Sequence, residues 1–175
     1  MSKSMSRREA RRHAFRLIFL LPFSGSEVEE LAKVKAAYYE FLSEEESRPK
    51  GQGAEYIDRV FWGVFERLEE IDRVIETFLR DWTADRIHKV DLALMRLAIY
   101  EMLCEKDVPD AAAINEAVEL AKDYGADESP AFINGVLSNI SRARARQSDH
   151  GHRGQESEAA HSLEAGSDEP GQDDA

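Results

Sequence analysis

The chain reads as all-α, with about seven helices. Apolar residues recur at steps of three and four from one end to the other, and no segment alternates apolar and polar residues as a half-buried strand does. Breakers punctuate the periodic runs: Pro22, Gly25, Pro49, Pro109, Gly125 and Pro130. A chain of 175 residues, 42% apolar, has material for one domain with tails.

Ser6 with Glu9 forms a capping box, so the first helix starts at Arg7. Its core stripe is Ala10, Ala14, Leu17 and Leu21, with Ile18 beside it, and Pro22 and Gly25 mark its end. Ser26 with Glu29 reads as a second capping box. It opens a helix through Leu31, Val34, Tyr38, Phe41 and Leu42. The polar stretch Glu44 to Gly53 reads as a loop. The run from Ile57 through Phe65, Ile71 and Phe78 to Trp82 is one amphipathic helix or a pair broken near Glu70.

Residues Leu92 to Leu103 are apolar on nearly every side, as in a central buried helix. Pro109 ends the connection after them. Ile114 to Lys122 form the next helix, stopped by Gly125 as a C′ residue. Ser129 and Pro130 supply an N-cap and a first-turn proline. The last helix runs through Phe132, Ile133, Val136, Leu137 and Ile140. Its closing residues Arg142, Arg144 and Arg146 suit a helix C-terminus. Residues 147–175 carry eight acids against one base, Arg153, and Leu163 is their one large aliphatic. Such a segment cannot offset its ordering entropy by burial and reads as a disordered acidic tail. The folded domain then spans 6–146, with residues 1–5 flexible.

Charge is the most informative feature. The chain carries −12 overall, yet the stretch up to Arg16 has six positive side chains against Glu9 alone. At about 100° per residue, Arg7, Arg8, Arg11 and Arg12 fall on the face away from the core stripe, with Phe15 and Phe19 among them. Arginines hold phosphates and stack on bases; aromatics stack on unpaired bases or anchor a protein partner. The other reading is a solvated basic face with phenylalanines packed on a neighbour. Stacking groups favour single-stranded RNA over duplex DNA.

No apolar run has membrane-spanning length, and no h-region or cleavage site marks a secretory signal. Cys104 is the single cysteine. In an apolar helical run it reads as a buried, inert thiol of a reducing cytosol. The chain lacks C-x-x-C, H-E-x-x-H, a P-loop and a dinucleotide turn. Glu158 and His161 are a chance Glu-x-x-His in the polar tail. Glu116 and Glu119 read as a solvated face or a cap, and Asp85 with His88 lacks further ligands to complete a metal site. No cofactor, metal or enzymatic activity is expected.

The stretch Val108-Pro109-Asp110-Ala111-Ala112-Ala113-Ile114-Asn115-Glu116-Ala117-Val118-Glu119-Leu120-Ala121-Lys122 leads into Tyr124-Gly125-Ala126-Asp127-Glu128-Ser129, then Phe132-Ile133-Asn134-Gly135-Val136-Leu137. Together with Arg96-Leu97-Ala98-Ile99-Tyr100-Glu101 and the arginine-rich start, it resembles the NusB family of transcription antitermination factors over roughly residues 6–146. The resemblance implies two packed three-helix halves and a non-enzymatic, cytoplasmic role. It implies binding of the boxA element of ribosomal RNA leader transcripts as a heterodimer with NusE, a ribosomal small-subunit protein, within the RNA polymerase antitermination complex.

RNA contacts by resemblance are Arg7, Arg8 and Arg11, then Glu128 and Phe132; Arg12, which makes this helix more basic than in relatives with an acid there, joins them. NusE contacts are Phe19 and Asp91. Phe132 and its neighbour Ile133 are equal candidates for the core. Asn115 and Asn134 read as structural hydrogen-bonding residues, and Gly135 as a site of close helix packing. Glu128 stands where relatives often have aspartate, and Phe19 where they often have tyrosine. Two other roles stay open: a helical protein-binding adaptor or homodimer, and an accessory domain of an RNA-modifying enzyme.

Overall fold

The computed structural model describes residues 5–42, 48–79 and 86–164, with side chains up to Ser148. Among them are seven α-helices and no strand: α1 (Arg7–Leu20), α2 (Val28–Glu40), α3 (Gln52–Glu66), α4 (Leu68–Phe78), α5 (Lys89–Cys104), α6 (Asp110–Tyr124) and α7 (Ser129–Glu164). A short 3-10 turn, Leu21–Phe23, follows α1. The chain divides into two units, residues 1–140 and 141–175.

Local chemistry explains most boundaries. At α1 the Ser6 hydroxyl accepts from the Glu9 backbone N–H, and the Glu9 carboxylate accepts from the Ser6 N–H. That satisfies two of the donors a helix start leaves unpaired. At α2 the expected capping box does not form: the N-cap is Glu27, no side chain caps it, and the helix starts at Val28. The long amphipathic run is a pair, parted at Arg67 rather than near Glu70. Trp82 and residues 44–47 of the Glu44–Gly53 stretch lie outside the described residues, and Gly53 itself is helical.

In the first unit α5 is the hub. Residues 91–102 are all buried. It packs against α1, α3, α4 and α6, and α1 packs also on α3. Buried residues from α1 to α7, including Ile133, Leu137 and Ile140, join one apolar cluster. A helix enclosed on several sides buries its polar residues too, and each needs a partner. Arg96 of α5 finds Asp72 of α4 in a two-bond fork, Nε to Oδ1 at 2.8 Å and Nη2 to Oδ2 at 2.7 Å.

Two glycines matter for packing. Gly63 lies against the Tyr100 ring so closely that an added methyl would overlap it, which brings α3 and α5 together. Gly125 has φ −92°, so it is not a left-handed cap. Its constraint is Ser129, whose Cβ would sit 2.6 Å from a side chain at 125. The Ser129 hydroxyl accepts from the Ala126 N–H at 3.0 Å and so closes the turn between α6 and α7.

Several expectations need correction. Gly135 is exposed, with nothing within 4 Å of an added Cβ, so it does not serve close packing. Asn115 and Asn134 are exposed, and their side chains make no hydrogen bond among the described residues. Phe41 is 88% exposed rather than part of the α2 core face, and Cys104 is half-buried rather than enclosed. α7 itself runs on to Glu164. Residues 165–175 lie outside the described set.

The two glycine settings predict opposite outcomes. Gly63→Ala should destabilise by about 1–3 kcal/mol through overpacking. Gly135→Ala should stabilise by about 1 kcal/mol, the helix-interior cost of glycine. Urea unfolding midpoints read both.

Candidate nucleic-acid interface

The basic helix is less free than its sequence implies. Arg11 is buried: its Nε donates to both Glu101 oxygens at 3.0 and 3.1 Å, and its Nη1 lies 3.8 Å from Glu116. The Tyr56 hydroxyl of α3 donates to the same Glu101 at 2.7 Å. One carboxylate on α5 therefore ties α1 and α3 to the hub. Burial raises the Glu101 pKa, against the pull of Arg11 and Tyr56, and burial pushes the Tyr56 phenol far up as well.

Arg8 is exposed and forked onto Glu116 of α6, Nε to Oε2 at 3.1 Å and Nη2 to Oε1 at 2.8 Å. Those bonds hold the Glu116 carboxyl below the usual range. Glu116 is thus an arginine clamp, not merely a solvated or capping acid. Arg7 is exposed, its guanidinium carbon 4.6 Å from the Tyr56 ring centroid. It makes no ion pair among the described residues. Arg12 is half-buried, and its Nε is enclosed without a hydrogen-bond partner among them. Arg16, outside the predicted set, donates to the Tyr124 hydroxyl at 3.1 Å.

The predicted outward face of four arginines and two phenylalanines therefore breaks up. Arg7 and Arg8 face solvent and Arg12 half does. Arg11 and Phe15 are buried, Phe15 against Tyr124 with ring centroids 5.0 Å apart. A helical wheel assumes one buried side. Here α3 and α5 cover one side of α1, and Glu116 and Tyr124 of α6 reach another.

The remaining predicted residues fall into two clefts. Phe19 lines one of about 350 Å³ with Phe15, Tyr38, Val90 and Tyr124. Asp91, Glu128 and Phe132 share another of about 530 Å³ with Ile87 and Val136. Phe132 is the cleft residue and Ile133 the core one. Val90 and Asp91 are adjacent, so the first turn of α5 contributes to both clefts. Asp91 is 5% exposed, and its Oδ1 has no partner among the described residues. An enclosed acceptor without a donor costs about 1–3 kcal/mol, a cost that an incoming donor removes. No hydrogen bond or ion pair among the described residues joins Arg7 or Arg8 to Glu128 or Phe132. Glu101 was readable as a lone acid in an apolar helix, which demands a counter-charge. Glu116 carried no such signal.

No helix among the described residues is long and apolar enough to cross a membrane. None of their His, Cys, Asp and Glu side chains form a three-membered metal-ligand group. An acidic helical domain that turns guanidinium groups outward at one helix end, and carries two largely apolar clefts elsewhere, has the surface of a polyanion-binding protein. The chain belongs to the NusB family, whose sequence model matches residues 8–142. It is 41% identical over 136 residues to the transcription antitermination protein NusB of Agathobacter rectalis, covering 78% of this chain and 99% of that one. It is 43% identical over 145 residues to that of Acetivibrio thermocellus, covering 83% and 94%. Among solved structures it resembles T. maritima NusB with a TM-score of 0.70 at 34% identity, covering 80% of this chain and 93% of that chain. It also resembles a chain of the antitermination factors NusB and NusE in complex with double-stranded RNA, with a TM-score of 0.63 at 27% identity, covering 78% and 96%.

Two experiments check the electrostatics. Arg11→Met strands Glu101 in the core and should destabilise by about 3–5 kcal/mol. Arg7→Gln should leave the unfolding midpoint nearly unchanged. Glu105, bound by Arg59 at 2.7 and 2.9 Å, and Glu116 have lowered pKa values. Their stabilisation is present above the ordinary carboxylate pKa and is lost as pH falls through the folded values. Glu101, with its raised pKa, acts in the opposite sense, contributing at low pH and losing that contribution as pH rises. Stability should therefore fall less on acidification in the double variant Glu105→Gln, Glu116→Gln than in the parent.

Proposed function

We propose that this protein is a cytoplasmic, non-enzymatic antitermination factor that binds boxA RNA of ribosomal RNA leader transcripts together with NusE, within the RNA polymerase antitermination complex. The observation that carries this reading is the outward guanidinium set of α1, Arg7 and Arg8 beside the half-buried Arg12, in a chain of net charge −12. The surrounding acidity disfavours nucleic acid over much of the surface, and the basic start of α1 attracts it. Arg7, Arg8 and Arg12 hold phosphates, and Glu128 and Phe132 meet the strand from α7 and the turn before it. Arg11 contributes by holding α1 in place. Phe19 and Asp91, on neighbouring clefts, take NusE: Phe19 by apolar contact, Asp91 by accepting a partner donor on its unpaired oxygen. Residues 6–146 suffice for both activities.

Titrating the protein with boxA RNA, with and without NusE, tests this. Three neutralised phosphates give a log–log salt slope of about −2 for a single strand. Replacing Arg7, Arg8 and Arg12 by Ala should flatten that slope with the fold intact. Asp91→Ala and Phe19→Ala should each weaken NusE capture by about tenfold, roughly 1.4 kcal/mol, while leaving binary RNA binding unchanged. Binding indifferent to both salt and boxA sequence would overturn the RNA role.

A further inference from the structure

A third cleft, of about 360 Å³, lies between the first turns of α1 and α3. That volume falls within the range of small-ligand sites, about 300–1,000 Å³. Its lining is mainly polar and includes Arg7, Gln52, Glu55, Tyr56 and Arg59. Two guanidinium groups address the same Tyr56 ring, Arg7 at 4.6 Å and Arg59 at 5.9 Å from its centroid. The Tyr56 hydroxyl is committed to Glu101. Arg59 gives Nε and Nη2 to Glu105, which leaves Nη1 uncommitted on a half-exposed side chain. Arg7 keeps all its guanidinium donors. Glu55 is the acid on the lining, and it opposes these cations.

Arg7 belongs both to this cleft and to the outward set of α1. We infer that the RNA strand held by α1 continues past Arg7 into this cleft, which binds one further phosphate of single-stranded RNA between Arg7 and Arg59. The inference rests on the RNA-binding role proposed above and extends the RNA surface onto α3. The Tyr56 ring is 2% exposed, so it offers no open platform for a base. Recognition here is by guanidinium groups and carries no sequence information.

The test uses the full chain and fluorescence anisotropy. The probes are the shortest boxA RNA that binds and the same RNA extended by three uridines or three adenosines at either end. Extension at one end should raise affinity about threefold and steepen the salt slope by about 0.7, as one added phosphate contact does. Uridines and adenosines should act alike. Exchanging the pair, Arg59→Glu with Glu105→Arg, keeps the net charge but puts a carboxylate on the cleft; the gain should disappear. Gln52→Glu places a negative charge in the first turn of α3, where it stabilises the helix. It should also abolish the gain, and a folding defect cannot explain that loss. Both variants should bind the shortest RNA as the parent does. An extension gain absent from the parent, retained in both variants, or dependent on the added base overturns the cleft site alone. Failure of the shortest RNA to bind overturns the RNA role and this site with it.

Discussion

The Glu101 carboxylate is the constraint on which the rest depends. It sits on the enclosed helix α5 and takes bonds from Arg11 of α1 and Tyr56 of α3. Desolvating a carboxylate is expensive, so the helices that supply its donors are not interchangeable. Apolar packing alone tolerates rotation or sliding of one helix on another, whereas a buried charge with directed donors does not. The rotation of α1 about its own axis is therefore set at Arg11. From that rotation follow the outward positions of Arg7 and Arg8, the inward position of Phe15 and the placement of Phe19 on its cleft.

A second carboxylate refines this arrangement. Glu116 grips Arg8 from α6 and lies within ionic reach of Arg11. A fork of this kind holds a long, flexible side chain in one orientation, so less freedom remains to be lost when a phosphate arrives. It also offsets part of the positive charge. At the basic end Arg8 and Arg11 are held against acids and Arg7 against a ring, whereas Arg12 has an enclosed, unsatisfied nitrogen.

Much of the fold was legible in local patterns. Ser6 and Glu9 mark their helix start because a capping box involves only near neighbours. Residues 92–103 announce a buried helix because no polar face interrupts them. Ser26 and Glu29 carry the same local signal, yet α2 starts at Val28 without it. The site was legible in composition but not in orientation. Arg11 looks like its neighbours in sequence, and only Glu101, ninety positions away, turns it inward. The roles of Glu116 and Arg59 likewise depend on helices that meet only in the folded chain. The motif residues Asn115 and Asn134, read as hydrogen-bonding ties, and Gly135, read as a packing site, proved to be exposed, because helical spacing alone does not say which side of α6 and α7 faces the hub.

The tie between Arg11 and Glu101 has a consequence for motion. The outward arginines stand on a helix whose other faces are part of the core, so the interface has no separate folding unit of its own. Local fraying that released the first turns of α1 would have to uncover Ala10, Ala14 and a buried ion pair together. Amide protons along the middle of α1 should therefore exchange with solvent only in the cooperative opening that frees α5 as well.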